Sequence, residues 1–509
     1  MKFIKKPLFL SLLSALLLSL PWLNMGSWWI LFAFVPLFWL QKSLQSAGRR
    51  GFLWWVALAL CVWITLTCFW VSFAFAAASI IVPLVGIASL WPAWWLYNIV
   101  SKRSGRALSY TIFICAWIVA EWWYSVGDVS FPWLTLGGAW AWSPWAVQWY
   151  SLTGVYGGTL WILIANIAIF TALTKPRVWY FVGAWVVVPI VVSLSMYWSY
   201  TEPTERIEVA VIQPNIDPYT EKYETDGLAV VLSLAATAPA QSELFVAPET
   251  AIVNTIDLND SVPNQDVLRV QRFLSTRPVA AAFIVGAMSH SGDTYYNTAL
   301  YIDSNGVQTY HKGKLVIGVE TTPSWAAWAA RAIDMGGYVG SLGRQAERDI
   351  FRASVPVGSA ICYESIYGEY FSQWVASGAR LMTIITNDGW WGDTPGYRHH
   401  AAYASLRAIE CGRAIARSAN TGVSALIDSR GVVGSSLGWD ERGVVSGSLP
   451  LGDGITPYVR WGDMTARLAL YIGALALLFF IGRSRGDTEI AVTNKKITVS
   501  GHRPRGWGA

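Results

Sequence analysis

Charge is what this chain has least of. Of its 509 residues, 14% are Asp, Glu, Lys or Arg, against 54% hydrophobic, and the mean hydropathy is +0.39. A soluble domain carries about a quarter charged residues, so the deficit excludes a chain solvated by water along its whole length. Cysteine is also scarce. The five thiols have no metal-site spacing and form no disulfide framework. Cys61, Cys68 and Cys115 fall in apolar runs and read as packing residues. Cys362 and Cys411 fall in the polar part. There is no internal repeat and no low-complexity linker. No small-residue cleavage site follows the first apolar run, so that run reads as a helix rather than a signal peptide. The net charge of +5 is modest and reads as loop bias, not as a nucleic-acid footprint. What is plentiful is tryptophan, 31 in all, a residue that favours the membrane interface.

Apolar stretches long enough to span a bilayer, about 17–25 residues each, are expected near 7–23, 27–41, 52–76, 79–99, 108–125, 152–173, 178–198 and 464–482. The second is short. Basic residues alternate between the connecting loops. Lys2, Lys5 and Lys6 precede the first span; Lys42, Arg49 and Arg50 follow the second; Lys102, Arg103 and Arg106 follow the fourth; Lys175 and Arg177 follow the sixth. Arg483, Arg485, Lys495, Lys496, Arg503 and Arg505 fill the tail, and the intervening loops near 24–26, 76–79 and 126–151 have none. The positive-inside rule then predicts both termini in the cytoplasm and the segment 200–462 outside. The chain divides into a seven-helix bundle over 1–199, an extracytoplasmic domain over 200–462, an eighth helix over 463–483 and a basic tail over 484–509. Glu121 and Asp128, at the outer end of the fifth span, are candidates for head-group contact or for simple solvation.

The segment 200–462 alternates short β-rich runs with polar and helical stretches, as an α/β layered domain does. Examples are Ile207–Gln213, Leu244–Ala247, Ala280–Ala287, Thr298–Ile302, Val355–Cys362 and Leu381–Thr386. Three sites at strand ends carry chemistry. Val246-Ala247-Pro248-Glu249-Thr250 runs an apolar strand into a carboxylate, which desolvation would make a general base. Tyr310-His311-Lys312-Gly313-Lys314 places a cation that can face a developing oxyanion, with Glu320 to hold it. Val357-Gly358-Ser359-Ala360-Ile361-Cys362-Tyr363-Glu364 stops a strand of small and apolar residues at a thiol, before an expected helix, which is elbow geometry. Taken singly, a surface glutamate, a charged loop and a structural cysteine are the simpler readings.

Glu249, Lys312 and Cys362, in that order at successive strand ends, resemble the catalytic set of the nitrilase superfamily. Gln213-Pro214-Asn215, Thr386-Asn387-Asp388-Gly389-Trp390-Trp391-Gly392, Arg407-Ala408-Ile409-Glu410 and Ala416-Arg417-Ser418-Ala419-Asn420-Thr421-Gly422 extend the likeness over most of 205–450. With eight membrane helices attached, and with Phe131-Pro132-Trp133 and Gln148 to Gly158 in the membrane part, the whole chain is similar to the apolipoprotein N-acyltransferases. One departure is Lys314-Leu315-Val316-Ile317-Gly318-Val319-Glu320, where that family reads close to His-Leu-Val-Pro-Phe-Gly-Glu. Glu320 keeps its offset of eight from Lys312, so its role carries over. His399-His400 stands where the family tends to have Gln-His and reads as structural, because adjacent residues point different ways.

The resemblance implies a fold, an αββα sandwich fused to the bundle, and a membrane location, the bacterial inner membrane with the catalytic domain in the periplasm. It also implies a reaction. Glu249 deprotonates Cys362, the thiolate takes an acyl chain from a phospholipid as a thioester, and the α-amine of a diacylglyceryl lipoprotein receives it. Lys312 and the backbone N–H of Tyr363 face the oxyanion. Tyr363 and Glu364 flank the thiol and shape the acyl pocket. No metal, nucleotide or other cofactor is expected, and no nucleic-acid partner. Trp325 and Trp328, three apart on one helical face, and Trp390 and Trp391 after the cysteine strand are candidates for a lid that leads acyl chains to Cys362. Two other readings stand beside this one. A membrane-tethered amidase would use the same three residues, but it leaves eight spans without a purpose. A transporter or receptor predicts ionisable residues deep in several spans, which hold almost none.

Overall fold

Among the described residues, nine helices carry the apolar stretches: α1 (Lys2–Ser19), α2 (Val35–Ser46), α3 (Phe52–Cys68), α4 (Val71–Ala74), α5 (Ala78–Arg103), α6 (Arg106–Val126), α7 (Tyr150–Ala172), α8 (Val178–Ser199) and, after the polar segment, α14 (Met464–Val499). The computed structural model describes residues 2–499 apart from 128, 222–223, 261–263 and 323–341, with side chains from Lys6 to Arg483. Five of these helices are long and apolar enough to cross a bilayer: α5, α6, α7, α8 and the Met464–Arg483 part of α14. Lys6–Ser19 and Phe52–Cys68 are apolar but shorter. The span expected near 27–41 is broken into a 3₁₀ turn, Ser27–Leu31, and α2, which starts afresh with Pro36 in its first turn. Proline lacks the N–H that a continuing helix would need, so it favours a first turn. The span expected over 52–76 ends at Cys68, and α4 continues it as a separate turn.

Glu121 corrects the expectation at the end of α6. It is buried, so its carboxylate is open neither to solvent nor to a lipid head group. Its carboxylate accepts from Trp117 Nε1 (2.8 Å), the Leu136 backbone N–H (2.9 Å) and Thr159 Oγ1 (2.7 Å), so it ties α6 to the following loop and to α7. Asp128 lies outside the described residues.

The polar segment folds as two facing sheets. The first holds β1 (Arg206–Gln213), β2 (Leu244–Val246), β3 (Ile252–Asp257), β4 (Ala282–Ser291), β5 (Thr294–Asp303), β6 (Gly306–His311) and β12 (Gly443–Pro450), in the order β12-β1-β2-β4-β5-β6, with β3 also on β4. The second is β11-β10-β9-β8-β7, built from β7 (Val357–Ile361), β8 (Leu381–Thr386), β9 (Ile415–Ala419), β10 (Ser424–Ile427) and β11 (Val433–Leu437). The two-residue period of a strand sets the layers. Along β1, Val209 and Val211 pack in the cluster that also holds Ala360 of β7 and Ile384 of β8. Ala210 and Ile212, between them, pack with Val231 of α9 (Gly227–Ala235) and Val270 of α10 (Gln265–Ser275) on the opposite face. Helices α11 (Gly368–Ala376) and α12 (Pro395–Cys411) cover the second sheet, and α12 also packs on membrane helix α7. The result is the expected αββα sandwich, with its second helical layer shared with the bundle.

That shared layer is pinned by polar contacts. At Gly154 the chain of α7 turns to φ 63° and ψ −173°, and a Cβ there would lie 2.3 Å from Tyr458 Cε2. The kink releases the Val155 N–H, which donates to Glu410 Oε1 of α12 at 2.9 Å. The other oxygen of Glu410 is 2.6 Å from Arg407 Nη2, and Arg407 Nη1 donates to the Ile366 carbonyl at 2.9 Å. Glu410, Arg407 and Ile366 are buried. Removing one partner of a buried ion pair costs about 3–5 kcal/mol. Glu410→Ala should therefore lower the melting temperature of the detergent-solubilised chain markedly, and Glu410→Gln less so. An unchanged melting curve for Glu410→Ala would show that this contact does not join the two layers.

Candidate active site

Cys362 sits where β7 ends. All five β7 residues are buried, so the strand delivers the thiol to the end of the sheet without slack. Cys362 itself has φ +51°, the left-handed region, and opens a 3₁₀ turn over Cys362–Ile366. A non-glycine residue there is strained and persists only where its surroundings hold it. The surroundings do so from both sides. The Cys362 carbonyl accepts from Ser365 Oγ at 2.8 Å and lies 3.0 Å from His400 Nε2. His400 Nδ1 lies 2.9 Å from Asp388 Oδ1, whose other oxygen accepts from Arg417 Nη2 at 2.8 Å. Asp388, His400 and Arg417 are fully buried. Burial opposes the charge of Asp388, but Arg417 and His400 outweigh it and hold its carboxyl down at about 2.

Glu364 braces the same turn. It is fully buried and accepts from the Ile361 backbone N–H at 2.8 Å with one oxygen. The other oxygen accepts from the Gly313 N–H (2.8 Å), Tyr310 Oη (2.7 Å) and Tyr370 Oη (2.8 Å). One carboxylate therefore fixes the cysteine turn to the loop just after Lys312. Burial raises its pKa.

Lys312 is the centre of the polar cluster. It follows β6 and is 1% exposed. Its Nζ donates to Glu249 Oε1 at 3.1 Å and to Glu320 Oε1 at 2.9 Å. Burial works against its charge, yet the two carboxylates hold the ammonium pKa well above its ordinary value. Glu249 follows β2 and is buried; its second oxygen accepts the Asn387 N–H at 3.1 Å. The β4 backbone passes so close that a Cβ on Gly286 would lie 2.5 Å from Glu249 Cα, so only glycine fits there. Glu320 is held in turn by the Val316 N–H at 2.8 Å. Asn297 of β5 completes the cluster, with Nδ2 donating to Glu249 (2.7 Å) and to Glu320 (2.9 Å). Cys362 is close enough for these groups to act on its thiol. Burial and the Glu249 carboxylate push its pKa up, while Lys312 and a hydrogen bond from Thr386 pull it down. A buried thiol, a carboxylate and a fixed cation in one cluster can run covalent acyl chemistry, with a proton acceptor and an oxyanion partner both in place.

Comparison with known proteins bears on the whole chain. Residues 14–168 match the apolipoprotein N-acyltransferase N-terminal domain, and residues 208–456 match the carbon-nitrogen hydrolase family. An apolipoprotein N-acyltransferase of Chlorobaculum tepidum is 31% identical, covering 94% of this chain and 97% of its own. The chain belongs to that family. A second apolipoprotein N-acyltransferase, from Gloeobacter violaceus, is 28% identical over 90% of this chain and 82% of its own. A Saccharomyces cerevisiae member of branch 10 of the nitrilase superfamily aligns with 49% of this chain and 92% of its own, at 15% identity and a TM-score of 0.39.

Against this acyltransferase family, the structure brings Glu249, Lys312 and Glu320 into direct contact, with Cys362 beside them. Glu364 braces the cysteine turn against the loop after Lys312. Tyr363 reaches the membrane part, where its Oη donates to the Ser130 carbonyl at 2.9 Å. Trp391 packs between Trp70 and Trp133 at ring distances of 4.9 and 5.6 Å, and Trp390 packs against Tyr219 at 5.3 Å. Trp325 and Trp328 lie outside the described residues. His399 is structural: Trp133 Nε1 donates to its Nδ1 at 3.2 Å, its Nε2 contacts the Trp22 carbonyl, and burial lowers its pKa to about 4. The residues that sequence reading missed are Asn297 and the Asp388–His400–Arg417 set. Asn297 had one signal, a polar amide inside a strand run, which is costly to bury unless paired.

Two outcomes follow from this geometry. A hydrogen bond to a charged group is worth about 1.5–3 kcal/mol, so Asn297→Leu should slow acylation of Cys362 by about 10–150-fold; wild-type speed would remove Asn297 from the site. The raised thiol pKa means that Cys362 is protonated at neutral pH and gains thiolate only as pH rises. Its alkylation by iodoacetamide should keep accelerating beyond pH 9. A plateau reached below pH 7 would contradict a raised pKa.

Proposed function

We propose that this chain acylates the N-terminal amine of a diacylglyceryl lipoprotein, using a phospholipid as acyl donor and Cys362 as the covalent carrier. The observation that carries the reading is a buried ion cluster, Glu249–Lys312–Glu320, set beside a strained cysteine in a domain whose second helical layer is shared with membrane helices. In the first half-reaction Glu249 accepts the Cys362 proton as sulfur attacks the ester carbonyl. The Lys312 ammonium and the Tyr363 N–H take the charge of the tetrahedral oxyanion. As the intermediate collapses, the C–O bond breaks and Glu249 returns the proton to the departing lysophospholipid oxygen. Cys362 is left as a thioester. In the second half the α-amine attacks that carbonyl, Glu249 takes its proton, and the C–S bond breaks with the proton returned to sulfur. The product is an amide and the free thiol, so the cycle is ping-pong and needs no cofactor.

The membrane part supplies donor and acceptor at the same depth. In this reading the chain crosses the bilayer eight times, with α1, α2 and α3 as the shorter members. Both termini face the cytoplasm and the catalytic domain faces the periplasm. Two features support it. The alternation of basic loops fits that orientation. The helix ends that touch the catalytic domain, at Val155 and Asp463, belong to one side of the bundle. The contact of Trp391 with Trp70 and Trp133 supports a role for it in leading an acyl chain from the lipid to Cys362. The deciding variant is Cys362→Ala. It should insert and fold as wild type yet transfer no acyl chain to a diacylglyceryl peptide. Retained N-acylation would refute the assignment.

A further inference from the structure

A second site lies at the other end of the bundle. Helices α7 and α14 meet the catalytic domain at their N-terminal ends. Their far ends, with those of α2 and α5 and the start of α6, are remote from Cys362. There the chain forms a small cleft of about 90 Å³, lined by Gln41, Lys42, Tyr97, Ser101, Arg106 and Tyr110, among others.

The lining is built rather than incidental. Gln41 is 4% exposed, and its Nε2 donates to Gln45 Oε1 and to Ser101 Oγ, both at 3.0 Å. Tyr97 and Tyr110 stack with centroids 5.9 Å apart and form an aromatic wall. The charge is of one sign. Before Glu121 the sequence holds no Asp or Glu at all. Glu121 sits fifteen residues along α6 from Arg106, about 22 Å at 1.5 Å per residue. Among the described residues neither Lys42 nor Arg106 is in an ion pair. Two cations over a floor of amides and hydroxyls, at the level where helices leave the hydrocarbon, is the chemistry that accepts anionic head groups.

We propose that this cleft binds a phosphate-bearing anion, with Lys42 and Arg106 on the phosphate and Gln41 and Ser101 on the neighbouring polar atoms, its occupant being the head group of an anionic lipid of the leaflet opposite the catalytic domain. The placement in that leaflet rests on the membrane orientation given above, but the binding does not use the acyl-transfer chemistry. The test therefore uses the full chain carrying Cys362→Ala, in which no lipid is consumed. Detergent-solubilised protein is titrated with short-chain phosphatidylglycerol, short-chain phosphatidylcholine and inorganic phosphate, and binding is read by native mass spectrometry.

Phosphatidylglycerol should bind more tightly than phosphatidylcholine, and Lys42→Ala/Arg106→Ala should weaken it by about 30-fold, two interfacial cations' worth. Arg272→Ala/Arg352→Ala removes the same charge from exposed positions of the catalytic domain, far from the cleft, and should change binding by less than about 3-fold. The charge-conserving pair Lys42→Arg/Arg106→Lys should restore most of the affinity, which separates the site from a failure to fold. Phosphate binding that depends on Lys42 and Arg106, with no gain for the lipid, assigns the same site to the free anion. Equal binding of the two lipids without phosphate binding, or equal loss in the two alanine pairs, overturns the proposal.

Discussion

A lysine ammonium that is 1% exposed and flanked by two carboxylates is the constraint around which the catalytic domain is arranged. An ammonium cannot leave water alone, because its desolvation costs several kcal/mol. Glu249 and Glu320 offset that cost, and they must then be held themselves. The Asn387 and Val316 N–H groups and the Asn297 amide hold them. Each of these donors sits at the end of, or within, a different strand or loop, so the cluster fixes the relative positions of β2, β5, β6 and β8. Glu364 then carries the register across to the cysteine turn by bonding both Gly313 and Ile361. The thiol is placed against the ion cluster by backbone, not by a flexible side chain.

The same economy joins the domain to the membrane part. Instead of a linker, α12 is used twice: one face covers the second sheet and the other packs on α7. Its His399 meets Trp22 and Trp133, and its Glu410 caps the kink at Gly154. Tyr363, the residue after Cys362, bonds the loop after α6. The cysteine turn is thus fastened directly to the bundle. In the proposed reaction this attachment would hold the thiol in fixed relation to a lipid among the helices, the preorganisation that a reaction between two membrane-bound substrates requires.

Much of this was legible in the sequence, for a physical reason. Strands β1, β2, β4, β5, β7 and β8 are buried apolar runs, and their signal is local. Strands β3, β6, β11 and β12 are partly exposed or glycine-bearing, and their runs carry less contrast. Glu249, Lys312 and Cys362, the proposed catalytic residues, stood out because each follows a strand with a polar group. The long spans were readable from hydropathy, and Pro36 itself marks the break before α2, whereas no proline or charge marks the stop at Cys68. Glu121 looked like an interface residue because its partners, Leu136 and Thr159, are far along the chain. The Asp388–His400–Arg417 brace was hidden in the same way: its members lie on β8, α12 and β9 or at their ends, and only folding unites them.

In the proposed cycle Cys362 carries the acyl chain between a phospholipid and an amine. Intact-mass analysis of the purified chain after incubation with a phospholipid of defined acyl composition reads this step. A mass gain equal to one acyl chain is expected, located on Cys362 and removed by hydroxylamine or by a diacylglyceryl peptide. Acylation of Cys362 by small amides but not by phospholipid would contradict it.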